Sequence, residues 1–194
     1  MPKVKRYFLE IKKENLKLEK AVLPSDVQII LDKNKDININ KFFYRQIGKD
    51  HFWRDRLLWS DKEWERYINN PNLITGIMKK NDDLVGFYEQ EHHSSSFEIE
   101  LIQMGILKEY QGKNLGSMLL KHIIGQAFNE KIKRLWVHTC TLDHKNALRN
   151  YLSRGFKVFR EEEINFSYCL ILGVLKILLS IITFIDKIFI KKLI

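Results

Sequence analysis

The stretch Glu109-Tyr110-Gln111-Gly112-Lys113-Asn114-Leu115-Gly116-Ser117 constrains this chain more than any other part of it. It lies between an apolar segment that reads as a strand, 97–107, and one that reads as a helix, 113–128. A glycine-rich turn opening a helix leaves several amide N–H groups unpaired. It aims them, with the positive end of the helix, at one small volume. That is a cradle for a phosphate or pyrophosphate. Gly112 and Gly116 let the backbone approach an anion, and Lys113 adds charge at the rim. A purely structural turn remains the plain alternative. The stricter phosphate signatures, Gly-x-x-x-x-Gly-Lys-Ser/Thr and Gly-x-Gly-x-x-Gly with a ribose-binding acid, are absent.

The rest of the chain supplies a layer for this turn to sit in. Residues 5–11 alternate weakly and are expected as an added edge strand; 27–31 is a short apolar strand. After the polar stretch 32–40 a helix is expected from the aromatic-rich 41–47. Ser60 with Glu63 three residues on forms a capping box, which places Trp64, Tyr67 and Ile68 on one face of a helix ending before Pro71. Strands follow at 73–79 and 84–91, with a turn at Asn81-Asp82-Asp83 and a polar tip at 92–96. A strand at 134–140, a helix at 144–154 closed by Gly155, and a strand from Phe156 complete the order. Three strands, a helix, a strand, a helix and a strand make an α/β (α+β) layer with a mixed sheet.

Two motifs in this order resemble those of the GCN5-related N-acetyltransferase (GNAT) superfamily. Gln111-Gly112-Lys113-Asn114-Leu115-Gly116 is similar to the family's pyrophosphate signature, Gln/Arg-x-x-Gly-x-Gly/Ala, with Asn114 where the first glycine is expected. Asn is the non-glycine residue best suited to a left-handed backbone, so the match is softened rather than broken. Asn146-Ala147-Leu148-Arg149-Asn150-Tyr151, running on to Gly155-Phe156, resembles the family's second motif, with Ala147 one place early. Together with 138–144, 53–57 and 7–10 the likeness extends from about residue 5 to residue 163. It points to an uncharacterised bacterial subgroup. The resemblance implies a GNAT domain over 1–165. Its mixed sheet would be flanked by helices, with acyl-CoA bound at the split between the family's strands four and five.

It also implies roles. Glu98 and Glu100 share a face of their strand, and Glu100 matches the family's general base, acting directly or through water. Solvated or lysine-paired carboxylates are the simpler account of both. Tyr151 matches the acid beside the coenzyme sulfur, with a plain core tyrosine as the alternative, and Asn146 would touch the pantetheine or its waters, or equally cap a turn. Met104 and Ile106 would offer backbone groups to the pantetheine amides, with Gly105 allowing a bulge. With Gln111, Gly112, Lys113, Asn114, Leu115, Gly116 and Ser117 these make the cofactor set. Trp53 and Asp55 stand where the family builds its acceptor wall, Asp55 for a cationic amine and the tryptophans, with Trp59, to stack on it; an equally good reading makes both tryptophans core. No metal set is expected, because His92, His93 and His138 have no cysteine or acidic ligand at suitable local spacing. His92 and His93 are expected exposed at a hairpin tip, and His138 either faces the cleft or is a core histidine. The implied partners are acetyl-CoA and an amine, most simply a small molecule. A protein N-terminus, a lysine, or acyl-CoA binding without turnover are the alternatives.

Charge and the C-terminus add one more expectation. Thirty-three Lys and Arg against 24 Asp and Glu give +9, an excess that suits anionic partners. The basic residues are scattered with no aromatic-basic interleaving, which argues against nucleic acid. Cys140 and Cys169 read as reduced thiols of a cytoplasmic protein. Residues 166–194 are strongly apolar, with Lys176, Ser180, Thr183, Lys187 and Lys191 forming a polar stripe at helical spacing. Three readings stay open for this tail: a helix lying on an anionic lipid surface at the inner face of the membrane, a span, or packing against the domain or a second subunit in a homodimer.

Overall fold

A computed structural model of the chain describes residues 3–16, 21–128 and 131–165. Its centre is a seven-stranded sheet in the order β2-β3-β4-β5-β6-β1-β7. The strands are β1 (Lys3–Lys12), β2 (Val27–Leu31), β3 (Leu73–Lys80), β4 (Asp83–His93), β5 (Glu98–Ile106), β6 (Arg134–Cys140) and β7 (Lys157–Asn165). All neighbours are antiparallel except β5 and β6, which are joined through a helix and run parallel.

Alternating side chains give the sheet two cores. On one face α1 (Ile37–Gly48) and α2 (Asp61–Ile68) bury Phe43, Ile47, Tyr44, Trp64 and Ile68. On the other, α3 (Leu115–Phe128) buries Leu119, Leu120 and Ile123 against Leu9, Ile99 and Leu101, and α4 (Ala147–Leu152) adds Tyr151. The capping box at the start of α2 is present in both directions: Ser60 accepts from the Glu63 amide, and Glu63 accepts from the Ser60 amide at 2.7 Å. α1 begins earlier than its aromatic residues suggest. Asp36, inside the polar stretch, caps it by accepting from the Asn38 amide at 2.8 Å.

Three expectations are corrected here. β1 is no edge strand: it pairs with β6 on one side and β7 on the other. Alternation reveals which face of a strand is buried, not how many of its edges are paired. The bulge of β5 falls at Ile102, between the Gln90–Leu101 and Glu89–Gln103 pairs, and not at Gly105. Gly105 instead makes room for α1, since a Cβ there would meet Ile47 Cγ2 at 2.7 Å. The membrane placement is also overturned, because no helix among the described residues is long and apolar enough to cross a bilayer. The longest, α3, has 14 residues. It rises about 21 Å, against a hydrocarbon core of about 30 Å. The tail that motivated the placement, 166–194, lies outside the described residues, as does Cys169.

Candidate active site

β5 and β6 are paired only over Glu98–Leu101 and Arg134–Val137. Beyond that point they separate, and the extra residue Ile102 sits where the parting begins. A bulge bends its strand and interrupts the ladder, which is what this sheet needs in order to open. The opening is part of a cleft of about 1440 Å³ that runs from the start of α3, past α4, to the loop 51–59.

At the α3 end the sequence-predicted turn forms a cradle. Gly112 has φ +77° and Asn114 φ +61°, so the turn uses the left-handed backbone twice. Helical bonding starts with Ser117 and Met118, whose amides both donate to the Asn114 carbonyl at 3.1 Å. Among the described residues none of the amides of residues 112–116 donates to a protein acceptor. These amides are therefore left without partners at a helix N-terminus, and Gly112, Asn114, Leu115 and Gly116 of the turn line the cleft. Gln111 closes the turn by donating from Nε2 to the Ile106 carbonyl at 3.1 Å, so that carbonyl is already used. Lys113 folds back over the Tyr110 ring at the rim, 5.3 Å from its centroid. The Leu115 side chain is core, and Ser117 Oγ ties α3 to Asn150 of α4 at 3.3 Å. Met104, Asn146 and Tyr151 line the same cleft. Tyr151 packs edge-on to Phe156, and burial, with Asp143 adding to it, pushes its phenol well above the ordinary tyrosine range.

The other end is built from side chains. Trp53 lines it while also packing on Tyr44 and Phe87. Asp55 lines it too, and accepts from the Tyr44 hydroxyl at 2.8 Å. The loop carrying them is anchored by a network that sequence reading missed. Glu89, fully buried on β4, accepts from Arg56 at 2.8 Å, Tyr67 at 2.7 Å and Asn40 at 2.6 Å. Burial alone would lower the Arg56 pKa; the Glu89 carboxylate reverses this and holds the guanidinium charged. A polar residue flanked by Phe87, Tyr88 and the buried Gln90 gives no periodic signal of its own, so nothing in the sequence singles out Glu89.

His138 faces this end of the cleft from β6, tilted against Phe8 at 5.8 Å. Desolvation, with Arg6 nearby, lowers its pKa, so it is neutral around pH 7. Glu100 is placed differently. It is not among the residues lining the cleft, and it pairs across the ladder with Glu91 and Trp136 at the closed end of β5. Desolvation, with the Glu91 charge, raises its pKa against the opposing pull of His93. Glu98 is held by Arg134 at 3.1 Å, the plain reading of a paired strand carboxylate. The histidines at 92 and 93 are strand residues, not tip residues, because β4 continues through His93. The buried His93 Nε2 lies 3.6 Å from Glu100. Glu91, His93 and Glu100 bring ligand-type atoms within 4.8 Å of one another. Local spacing could not reveal this group, since β4–β5 register assembles it.

The match to known proteins agrees with this geometry. Residues 39–156 match the family model described as Acetyltransferase (GNAT) family. The chain belongs to that family. Its fold is similar to a GCN5-related N-acetyltransferase from Sphaerobacter thermophilus, with TM-score 0.65 and 11% identity over 83% of this chain and 50% of that one. It thus spans half the length of that relative. It is also similar to an aminoglycoside acetyltransferase from an uncultured soil metagenomic sample, with TM-score 0.59 and 13% identity over 75% of this chain and 97% of that one. An IAA acetyltransferase from Bacillus cereus ATCC 14579 gives TM-score 0.51 and 20% identity over 69% and 79%. At these identities the likeness is one of fold.

Proposed function

We propose that this chain moves the acetyl group of acetyl-CoA onto the amine of a small acceptor by direct attack in the cleft. One observation carries the reading: Gly112, Asn114, Leu115 and Gly116, whose amides are unpartnered, and Tyr151 line a single cleft where β5 and β6 part. In this reading the pyrophosphate rests on the cradle, the pantetheine lies by Met104, Ile106 and Asn146, and the acceptor enters beside Trp53 and Asp55. The amine nitrogen bonds to the carbonyl carbon, the carbon–sulfur bond breaks, and Tyr151 gives its proton to the departing thiolate. A phenol whose pKa is raised by burial stays protonated and available for that step. The amine's proton passes to Glu100 through water, since that carboxylate lies outside the cleft lining. A second base is favoured by one specific observation: His138 lines the cleft and keeps its neutral form.

Calorimetric titration with acetyl-CoA, followed by a thiol-release assay with amines, tests the reading. One-to-one binding is expected. Gly112→Val should weaken it at least about tenfold, since a left-handed backbone costs a side-chain-bearing residue about 1–2 kcal/mol and a β-branched one more. A wild-type chain that does not bind acetyl-CoA would overturn the proposal.

A further inference from the structure

The acidic side chains lining the cleft are already engaged. Asp55 accepts from the Tyr44 hydroxyl at 2.8 Å and lies 3.5 Å from Arg56 Nε. Glu63 accepts from the Ser60 amide and hydroxyl, each at 2.7 Å. Asp143 accepts from the Thr139 hydroxyl at 2.6 Å and the Cys140 amide at 3.1 Å. A polycationic acceptor would have to compete with these bonds.

Arg6 is in the opposite condition. It lines the cleft from β1, half-buried, and its side chain makes no hydrogen bond or ion pair among the described residues. Its neighbour across β7 is Glu162, which turns to Arg160 at 3.3 Å instead. Across β6 it sits opposite Cys140, and Phe8, two residues on, sits opposite His138. Arg6 and His138 are therefore diagonal neighbours on one sheet face, at a separation of about 7–8 Å. The pyrophosphate cradle is at the other end of the cleft, on α3. A guanidinium that is always charged and has no carboxylate partner among the described residues suits an anion brought by the ligand.

We infer that Arg6 forms an anion subsite for the acceptor, so that the preferred substrate is an amine carrying a carboxylate within one residue's length of its nitrogen, an amino acid or a close analogue. The inference rests on the acetyl-transfer reading and deepens it. Its experiment uses the full chain saturated with acetyl-CoA, with thiol release measured for phenylalanine, phenylalaninamide, 2-phenylethylamine, β-alanine and kanamycin. Rates are referred to the free-amine concentration, because the amide's amine is the less basic. At least tenfold higher kcat/KM is expected for the carboxylates than for the amide, the simple amine or kanamycin. Arg6→Gln should collapse that ratio through KM, and Arg6→Lys should restore part of it. Equal or better turnover of kanamycin or the amide overturns the inference, as does an unchanged ratio in Arg6→Gln or no turnover of either carboxylate. A parallel calorimetric titration tells the failures apart. With acetyl-CoA bound and another of the amines acetylated, only the anion subsite falls; without binding, or with binding and no turnover of any amine, the acetyl-transfer reading falls and this one with it.

Discussion

In the proposed reading the working groups at the α3 end of the cleft are backbone amides of one continuous turn, residues 112–116. At the β1 end they are side chains from β1, β6 and the loop 51–59, brought together only by the folded sheet. The first arrangement depends on local conformation, and one substitution at a left-handed position can damage it. The second depends on distant supports, above all Glu89 beneath Arg56. Local turns carry a fixed chemistry, whereas an assembly of side chains is free to vary its acceptor without disturbing the cradle.

Removing the support should therefore give the largest effect and separate the two ends. Glu89→Leu leaves Arg56 without its carboxylate and Tyr67 and Asn40 without their acceptor. A loss of about 3–5 kcal/mol in unfolding free energy is expected, as when one partner of a buried ion pair is removed. Urea unfolding measures it. A loss below about 1 kcal/mol would mean that the network behaves like a surface pair and the loop is anchored by its aromatics instead.

Tyr151→Phe should come next, and it tests the point where the two ends meet. Proton transfer by a placed side chain contributes about 100-fold or more. The variant should lose about that much kcat while its acetyl-CoA affinity holds, because the ring still packs on Phe156. Equal loss of rate and binding would reduce Tyr151 to a core residue.

The difference between the ends also governs how much could be read in advance. The cradle was legible because its chemistry lies in nine consecutive residues, with glycine at one left-handed position and Asn114 at the other. The capping box of α2 and the order of strands and helices were legible for the same local reason. Arg6 was not, since residue 6 meets residue 138 only once β1 is inserted between β6 and β7. Nor was the Glu91–His93–Glu100 group, which depends on cross-strand register. Glu89 was hidden for a third reason: hydrophobic patterning treats a buried carboxylate as an interruption, and only its three donors explain it.

The identity of the base gives a smaller and more discriminating effect. A base works when deprotonated, so kcat/KM must fall as pH drops through its pKa. With Glu100 the fall should lie just above the ordinary carboxylate range, because its pKa is raised; with His138 it should lie just below the ordinary histidine value, because that pKa is lowered. Glu100→Gln is expected to reduce kcat/KM about tenfold, less than a direct proton transfer would, and to flatten the acid limb. The acceptor should have a weakly basic amine, so that its own ionisation does not mask the limb. If His138→Gln flattens the limb and Glu100→Gln does not, the proton goes to the imidazole, and the acceptor end contains its own base.

The smallest effect belongs to the one irregular position in the cradle. Asn114 occupies φ +61°, where Asn is tolerated better than other non-glycine residues. If its side chain points away from the bound pyrophosphate, Asn114→Gly exchanges one acceptable left-handed residue for another. Acetyl-CoA affinity should then change by no more than about twofold, because the folded turn already holds the left-handed backbone before the ligand arrives. A tenfold gain in calorimetric affinity would show that the carboxamide crowds the anion. In that case even the α3 end is tuned by a side chain, and the contrast between a backbone-built and a side-chain-built end becomes one of degree.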